Sequence, residues 1–274
     1  MPRRLGQHFL TDPRILDRIV DALDPDLSDD VLEIGPGYGA LTSRLAPRVH
    51  RVVAIEKDRA LAAVLRSSID PATIVEVIAA DALRENWPAR LAPATAFKVV
   101  GNIPYYITSP LLDKALTAGA GAALPTVIVF LMQEEVADRA AAAPGSKTYG
   151  ALSVGLQVTA HVDRVFGVKA GAFRPPPKVD SAVLRLRPRA NPAIGPEDAR
   201  AFRRFVTALF GQRRRQLTRG LMTVTGRSRA TVLALIDAIG LDPTLRPEVV
   251  APEGFVDLFR AVARLTAFTG IGRL

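Results

Sequence analysis

The chain has 274 residues, 49% of them hydrophobic, enough for one large domain or two ordinary ones with complete cores. Its 36 Lys and Arg outnumber 27 Asp and Glu, and the net charge of +9 points to polyanionic partners, nucleic acid first. There is no cysteine, and His8, His50 and His161 are far apart, so disulfides, thiol catalysis and a Cys/His zinc site are excluded and no metal cofactor is expected.

The N-terminal stretch MPRRLGQHFLTDPR is charged and has no apolar core of signal-peptide length. From Val31 to Met132, short apolar runs alternate with helical stretches. VLEI (Val31–Ile34), RVVAI (Arg51–Ile55), TIVEVI (Thr73–Ile78), FKVVG (Phe97–Gly101) and TVIVFLM (Thr126–Met132) read as strands. Asp58–Ser67 and Ser109–Thr117 read as helices between them. The segment Ala115–Gln133 is uncharged and long enough to raise the question of a membrane span. Gly119, Gly121 and Pro125 interrupt it, TVIVFLM reads as a buried strand, and a soluble cytoplasmic protein is expected.

Strands alternating with helices imply a parallel sheet covered on both faces. HVDRVFGV and KVDSAVLRLRP have no helix between them and read as an antiparallel pair closing that sheet. Seven strands so arranged fit an α/β Rossmann-like class I methyltransferase fold. After Pro188 the pattern changes. RANPAIGPE reads as a linker, then Phe202, Phe205, Val206, Leu209 and Phe210 recur at helical spacing. A second helix is expected over Ala230–Ile239, capped by Ser228 and stopped by Gly240, and a third over Gly254–Leu265. The chain thus divides into residues 1–188 and a small all-helical domain, residues 189–274. From Asn191 onward there are 13 Arg, no Lys and seven acidic residues, so six of the nine net positive charges lie there.

In VLEIGPGYGALT, Gly35, Gly37 and Gly39 directly follow the first strand, where glycines let the backbone turn tightly and approach a ligand at a helix N-terminus. Glu56 ends the second strand, placed to accept hydrogen bonds from ribose hydroxyls, as NAD and S-adenosylmethionine sites both require. Asp81 and Ala82, just past the third strand, suit the exocyclic amine and the face of an adenine. The GxGxG spacing leans away from a dinucleotide. The plain alternatives are a glycine-rich turn without a ligand and a helix cap at Asp81.

At the end of the fourth strand stands GNIPYYITSP. Adenine's exocyclic nitrogen is a poor nucleophile because its lone pair is delocalised into the ring. Two acceptors aimed at its hydrogens favour a pyramidal nitrogen, and the side-chain oxygen of Asn102 and the carbonyl of Ile103 could be those acceptors. Pro104 would keep that carbonyl aimed, and Tyr105 could stack on the base, a contact worth about 1–3 kcal/mol. Positioning and electrostatics would then carry catalysis without a general base. The alternative is a turn in which Asn102 bonds its own backbone.

These blocks, with LGQHFL, AIEKD, MQEEVADR, FRPPPKVDSAVLRL and LFGQRRRQL, resemble the ribosomal small-subunit RNA adenine dimethyltransferases over nearly the whole chain. The resemblance implies S-adenosylmethionine as the consumed methyl donor and two adjacent adenines near the 3′ end of 16S rRNA in the immature small subunit as the substrate, with the enzyme acting as a monomer. It puts cofactor contacts on His8, Leu10, Gly35, Glu56, Asp81 and Asn102, to which the residue reading above adds Gly37 and Ala82, and the target-base clamp on Asn102, Pro104 and Tyr105. Phe173 would face the flipped adenine, with Lys178 near the RNA. His8 stands where many members have Asn, and Ile103 replaces the more frequent Leu.

Arg213, Arg214 and Arg215 follow an apolar helical stripe and are expected to contact phosphates, giving affinity rather than sequence readout; a solvated helix end is the alternative. FRPPPKV could likewise be only a rigid loop. Three other functions remain open on sequence: the related enzyme that dimethylates one adenine of 23S rRNA, an assembly factor that binds without methylating, and a nicotinamide-dependent oxidoreductase. The last should lack NIPY and the Arg-rich tail.

Overall fold

A computed structural model describes residues 8–70, 73–117 and 123–269, with side chains to 265. Gly119 and Gly121, on which the apolar run is expected to break, lie outside the described residues. The strands are β1 (Phe9–Leu10), β2 (Asp30–Ile34), β3 (Arg51–Glu56), β4 (Val75–Ala79), β5 (Ala96–Asn102), β6 (Leu124–Gln133), β7 (Ala160–Val168), β8 (Phe173–Arg174) and β9 (Ser181–Pro188). The helices are α1 (Pro13–Leu23), α2 (Thr42–Leu45), α3 (Arg59–Ser68), α4 (Trp87–Leu91), α5 (Thr108–Thr117), α6 (Glu134–Ala140), α7 (Ala151–Gln157), α8 (Ala199–Phe210), α9 (Leu217–Thr225), α10 (Arg229–Ala238) and α11 (Pro252–Thr269).

The expected sheet is there, with seven strands in the order β4-β3-β2-β5-β6-β9-β7. The pairings β2–β3, β2–β5, β3–β4 and β5–β6 are parallel, and β9 runs antiparallel to β6. Every residue of β2 is buried, as expected of a parallel strand covered on both faces. TVIVFLM is the inner part of β6, paired with β5 on one side and β9 on the other. Among the described residues no helix is long and apolar enough to cross a membrane. The strand order reverses at β2, whose neighbours are β3 and β5, and this reversal opens a crevice at the carboxyl ends of the strands.

Local chemistry sets the helix starts. Asp12, before Pro13, accepts from the backbone N–H groups of Arg14 and Ile15; Asp58 does the same for Ala60 and Leu61; Ser228 caps α10, and Gly240 follows it with φ +69°. The sequence pattern does not reveal the two-stranded β1–β8 pair, which joins Phe9 to Arg174 and Leu10 to Phe173.

The chain forms two compact units, residues 1–137 with 162–188, and residues 138–161 with 189–274. The expected boundary at residue 188 puts 138–161 in the first domain, and the structure puts them in the second unit. There Tyr149, Val154 and Val158 share a buried cluster with Phe202, Phe205, Leu209 and Phe255. The Tyr149 hydroxyl donates to the Val250 carbonyl at 2.8 Å.

Candidate active site

The carboxyl ends of β2, β3 and β5 bring together the glycine loop, Glu56 and Asn102. Gly35, Gly37 and Gly39 have φ of +68°, +57° and +83°, a region that side chains other than glycine's rarely enter. A Cβ on Gly37 would lie 3.0 Å from the Phe9 ring, so glycine is what lets β1 close over the loop. The Gly37 N–H donates to Glu56 Oε2 at 3.1 Å, and Asp58 N–H donates to Oε1 at 2.9 Å. Glu56 is 5% exposed; burial pushes its carboxyl above the ordinary range, and the two N–H donors pull it back.

Gly101 pairs directly with Ile34 of β2, and Asn102 follows at the mouth. The Asn102 Nδ2 donates to the His8 carbonyl at 2.9 Å, and the Ile103 N–H donates to Leu131 O at 2.9 Å. Pro104, at φ −56°, leads into a 3-10 turn over Tyr105–Ile107. The Tyr105 hydroxyl lies 3.0 Å from Ser181 Oγ, and its ring stacks on His8, centroids 6.2 Å apart and planes at 27°. His8, Gly35, Gly37, Glu56, Asn102, Pro104 and Tyr105 all line one cleft. Leu10 lines an adjoining cavity below the glycine loop, with Gly35, Gly37 and Asn102.

That cavity holds a residue that the sequence pattern does not single out. Glu33 is 1% exposed and accepts a hydrogen bond from Thr42 Oγ1 at 2.6 Å. Burial, with a smaller contribution from the charge of Glu56, pushes its carboxyl up to about 7. An acid inside the otherwise apolar VLEI is the signal that could have found it.

Asp81 and Ala82 do not line either space. Asp81 accepts from the Leu83 N–H at 3.0 Å and forms an ion pair with Lys57 at 2.8 Å, and the bonded ammonium holds its carboxyl below the usual range. Ala82 is buried, and its carbonyl accepts from the indole N–H of Trp87 at 2.8 Å.

Phe173, expected to face the flipped adenine, is 1% exposed and shares a buried cluster with Leu10, Leu16 and Val183, its strand paired with β1 at Leu10. Arg213, expected to contact phosphates, already has partners in the structure. Its Nε bonds Glu248 at 2.6 Å and its second guanidinium nitrogen donates to the Lys147 carbonyl at 3.0 Å, within the helical unit. Lys178, Arg214 and Arg215 are exposed.

The family model for ribosomal RNA adenine dimethylase matches residues 2–262. The chain belongs to the ribosomal RNA adenine dimethylase family. A protein of Pediococcus pentosaceus named ribosomal RNA small subunit methyltransferase A is 38% identical over 95% of this chain and 89% of its own length. The protein of the same name from Xanthomonas euvesicatoria is 43% identical over 93% of this chain and 94% of its own. Among solved structures, a dimethyladenosine transferase from Plasmodium falciparum superposes with a TM-score of 0.77 at 25% identity, covering 96% of this chain and 99% of that one. The 23S rRNA methyltransferase ErmE superposes with a TM-score of 0.72 at 30% identity, covering 93% and 99%.

This member of the adenine dimethylase family is therefore an rRNA adenine dimethyltransferase whose methyl donor is S-adenosylmethionine. The residues fit that donor. Positive-φ glycines without side chains leave a cleft open beside a buried strand-end acid, and a Cβ on Gly35 would lie 3.6 Å from the Asn102 carbonyl, at the edge of that cleft.

Proposed function

We propose that the protein dimethylates N6 of two adjacent adenines near the 3′ end of 16S rRNA, acting as a cytoplasmic monomer on the immature small subunit. The observation that carries the chemistry is the Asn102 carboxamide, whose nitrogen is committed to the His8 carbonyl at 2.9 Å at the edge of the cleft. The choice of the small subunit follows relatives of that name at 38% and 43% identity, above the 30% of the 23S enzyme.

In this reading Asn102 Oδ1 and the Ile103 carbonyl accept the two hydrogens of the target amine and turn its lone pair outward. Pro104 limits the backbone so that the second acceptor stays in line, and Tyr105 stacks on the extruded base, whose removal from its helix costs a few kcal/mol. When bound, S-adenosylmethionine supplies an electrophilic methyl group on a sulfonium, an activated leaving group that asks for no metal. Glu56 accepts from the ribose hydroxyls. Gly35, Gly37 and the backbone at His8 and Leu10 would border the same nucleoside, and Asp81 and Ala82 would hold its adenine, Asp81 exchanging its bond to Lys57 for one to the amine. The target nitrogen loses its proton after attack, so preorganised acceptors supply most of the rate. Lys178, Arg214 and Arg215 contact phosphates.

Incubating unmethylated small subunits with the protein and S-adenosylmethionine, followed by nucleoside mass spectrometry, tests the proposal. Dimethyladenosine confined to one small-subunit hairpin is expected. Modification of large-subunit RNA, or of none, refutes it.

A further inference from the structure

The face that Asn102 shows the cleft is set from the other end of the methyltransferase unit. Its Nδ2 lies 2.9 Å from the His8 carbonyl, and a carbonyl oxygen can only accept, so the amide must turn its NH2 toward His8 and its oxygen away. The His8 backbone is itself tied down. Its ring Nδ1 lies 2.8 Å from the Pro175 carbonyl, which by the same logic places the proton on Nδ1. Next along the chain, β1 pairs with β8, and the Thr11 N–H and hydroxyl both donate to Ala172 O, at 3.0 and 3.2 Å. The His8 ring is also backed by Tyr105.

We infer that His8 is a positioning residue for methyl transfer. By bonding its side chain to Pro175, it holds still the carbonyl that decides which end of the Asn102 amide faces the target amine. FRPPPKV then acts on catalysis through β1 rather than by touching the base, consistent with the burial of Phe173. The inference rests on the proposed role of Asn102 as acceptor. Asparagine at position 8 would preserve the bond. A side-chain amide nitrogen stands the same number of bonds from Cα as Nδ1 and can make the same hydrogen bond, whereas alanine cannot.

The test compares His8→Ala, His8→Asn and Asn102→Ala in the full chain. Three quantities are measured: single-turnover transfer to unmethylated small subunits, affinity for S-adenosylhomocysteine by calorimetry, and RNA affinity by filter binding. His8→Ala is expected to slow transfer by about 100-fold, the cost of a misplaced reacting group. It should lower kcat without raising KM for RNA, and by far more than it weakens binding of S-adenosylhomocysteine, which the His8 backbone still borders. His8→Asn should recover most of the rate. Three results overturn the inference: a His8→Ala enzyme as fast as wild type, an affinity for S-adenosylhomocysteine that falls in step with the rate, or a His8→Asn enzyme as slow as His8→Ala. An Asn102→Ala enzyme of full activity would sink the acceptor role beneath it, whereas an inactive Asn102→Ala beside a fully active His8→Ala sinks the positioning role alone.

Discussion

At Asn102 one amide carries a donor end and an acceptor end, and only the acceptor end can hold an amine. Asn102→Ala is expected to cut single-turnover methyl transfer by about 10²–10³-fold, the usual loss for a preorganised polar group, while RNA affinity in filter binding stays near wild type. Asn102→Asp should do no better, because it sets an oxygen against the His8 carbonyl where a donor now stands. Glu33 shows how burial changes a familiar acid. Its folded carboxyl titrates at about 7 against an ordinary 4.5, so the folded state holds the proton more tightly than the unfolded chain. The associated stability is complete below the ordinary value and is lost as pH rises through the folded one. Chemical denaturation at about pH 5 and about pH 8 should therefore show wild type losing stability relative to Glu33→Gln at the higher pH. A pH-independent difference would remove Glu33 from the linkage.

At the scale of elements, the glycine loop and the Gly101–Asn102 junction place the chemistry. A Cβ on Gly101 would lie 2.5 Å from the Ile34 carbonyl and 2.9 Å from the Ile103 side chain. The first of these is backbone in the neighbouring strand and cannot swing aside. Gly101→Ala should cost about 1–3 kcal/mol, read as a lower thermal midpoint, and should also slow transfer because it displaces the next residue. Much of this arrangement was legible in the chain, since glycine after a strand and an amide before proline carry local conformational meaning. The β1–β8 pair was not legible. Each strand has two residues, too few to show a period, and their partners stand more than 160 positions apart, as do Thr11 and Ala172. That pairing is also why Phe173, predicted to face the target base, lies in the core.

For the whole molecule, charge and division into units matter most. Replacing Arg214 and Arg215 by Ala should weaken RNA binding and reduce the slope of log affinity against log salt by about 0.7–0.9 for each phosphate the protein no longer neutralises. Arg213→Ala should lower thermal stability more than it changes that slope, because Arg213 already bonds Glu248 and Lys147 within the helical unit. A fragment ending at residue 188 would keep Tyr149, Val154 and Val158 while removing Phe202, Phe205 and Leu209, their partners in one buried cluster. Light scattering should find that fragment aggregated, since it exposes a contiguous apolar surface. A soluble monomeric fragment would contradict the shared core.

By itself the sequence determined the alternation of strands and helices, the glycine loop, the strand-end acid Glu56 and the NIPY junction. From these follow the parallel sheet and the class of reaction. Such features are short-range: hydrophobic period, glycine's positive φ and proline's restricted backbone act within a few residues. Only the tertiary structure decided which end of the Asn102 amide meets His8, why the Glu33 carboxyl is pushed up, where Phe173 points, what Arg213 bonds and which core residues 138–161 join. Each of those outcomes depends on a partner brought from a distant part of the chain, and on how much water that partner displaces.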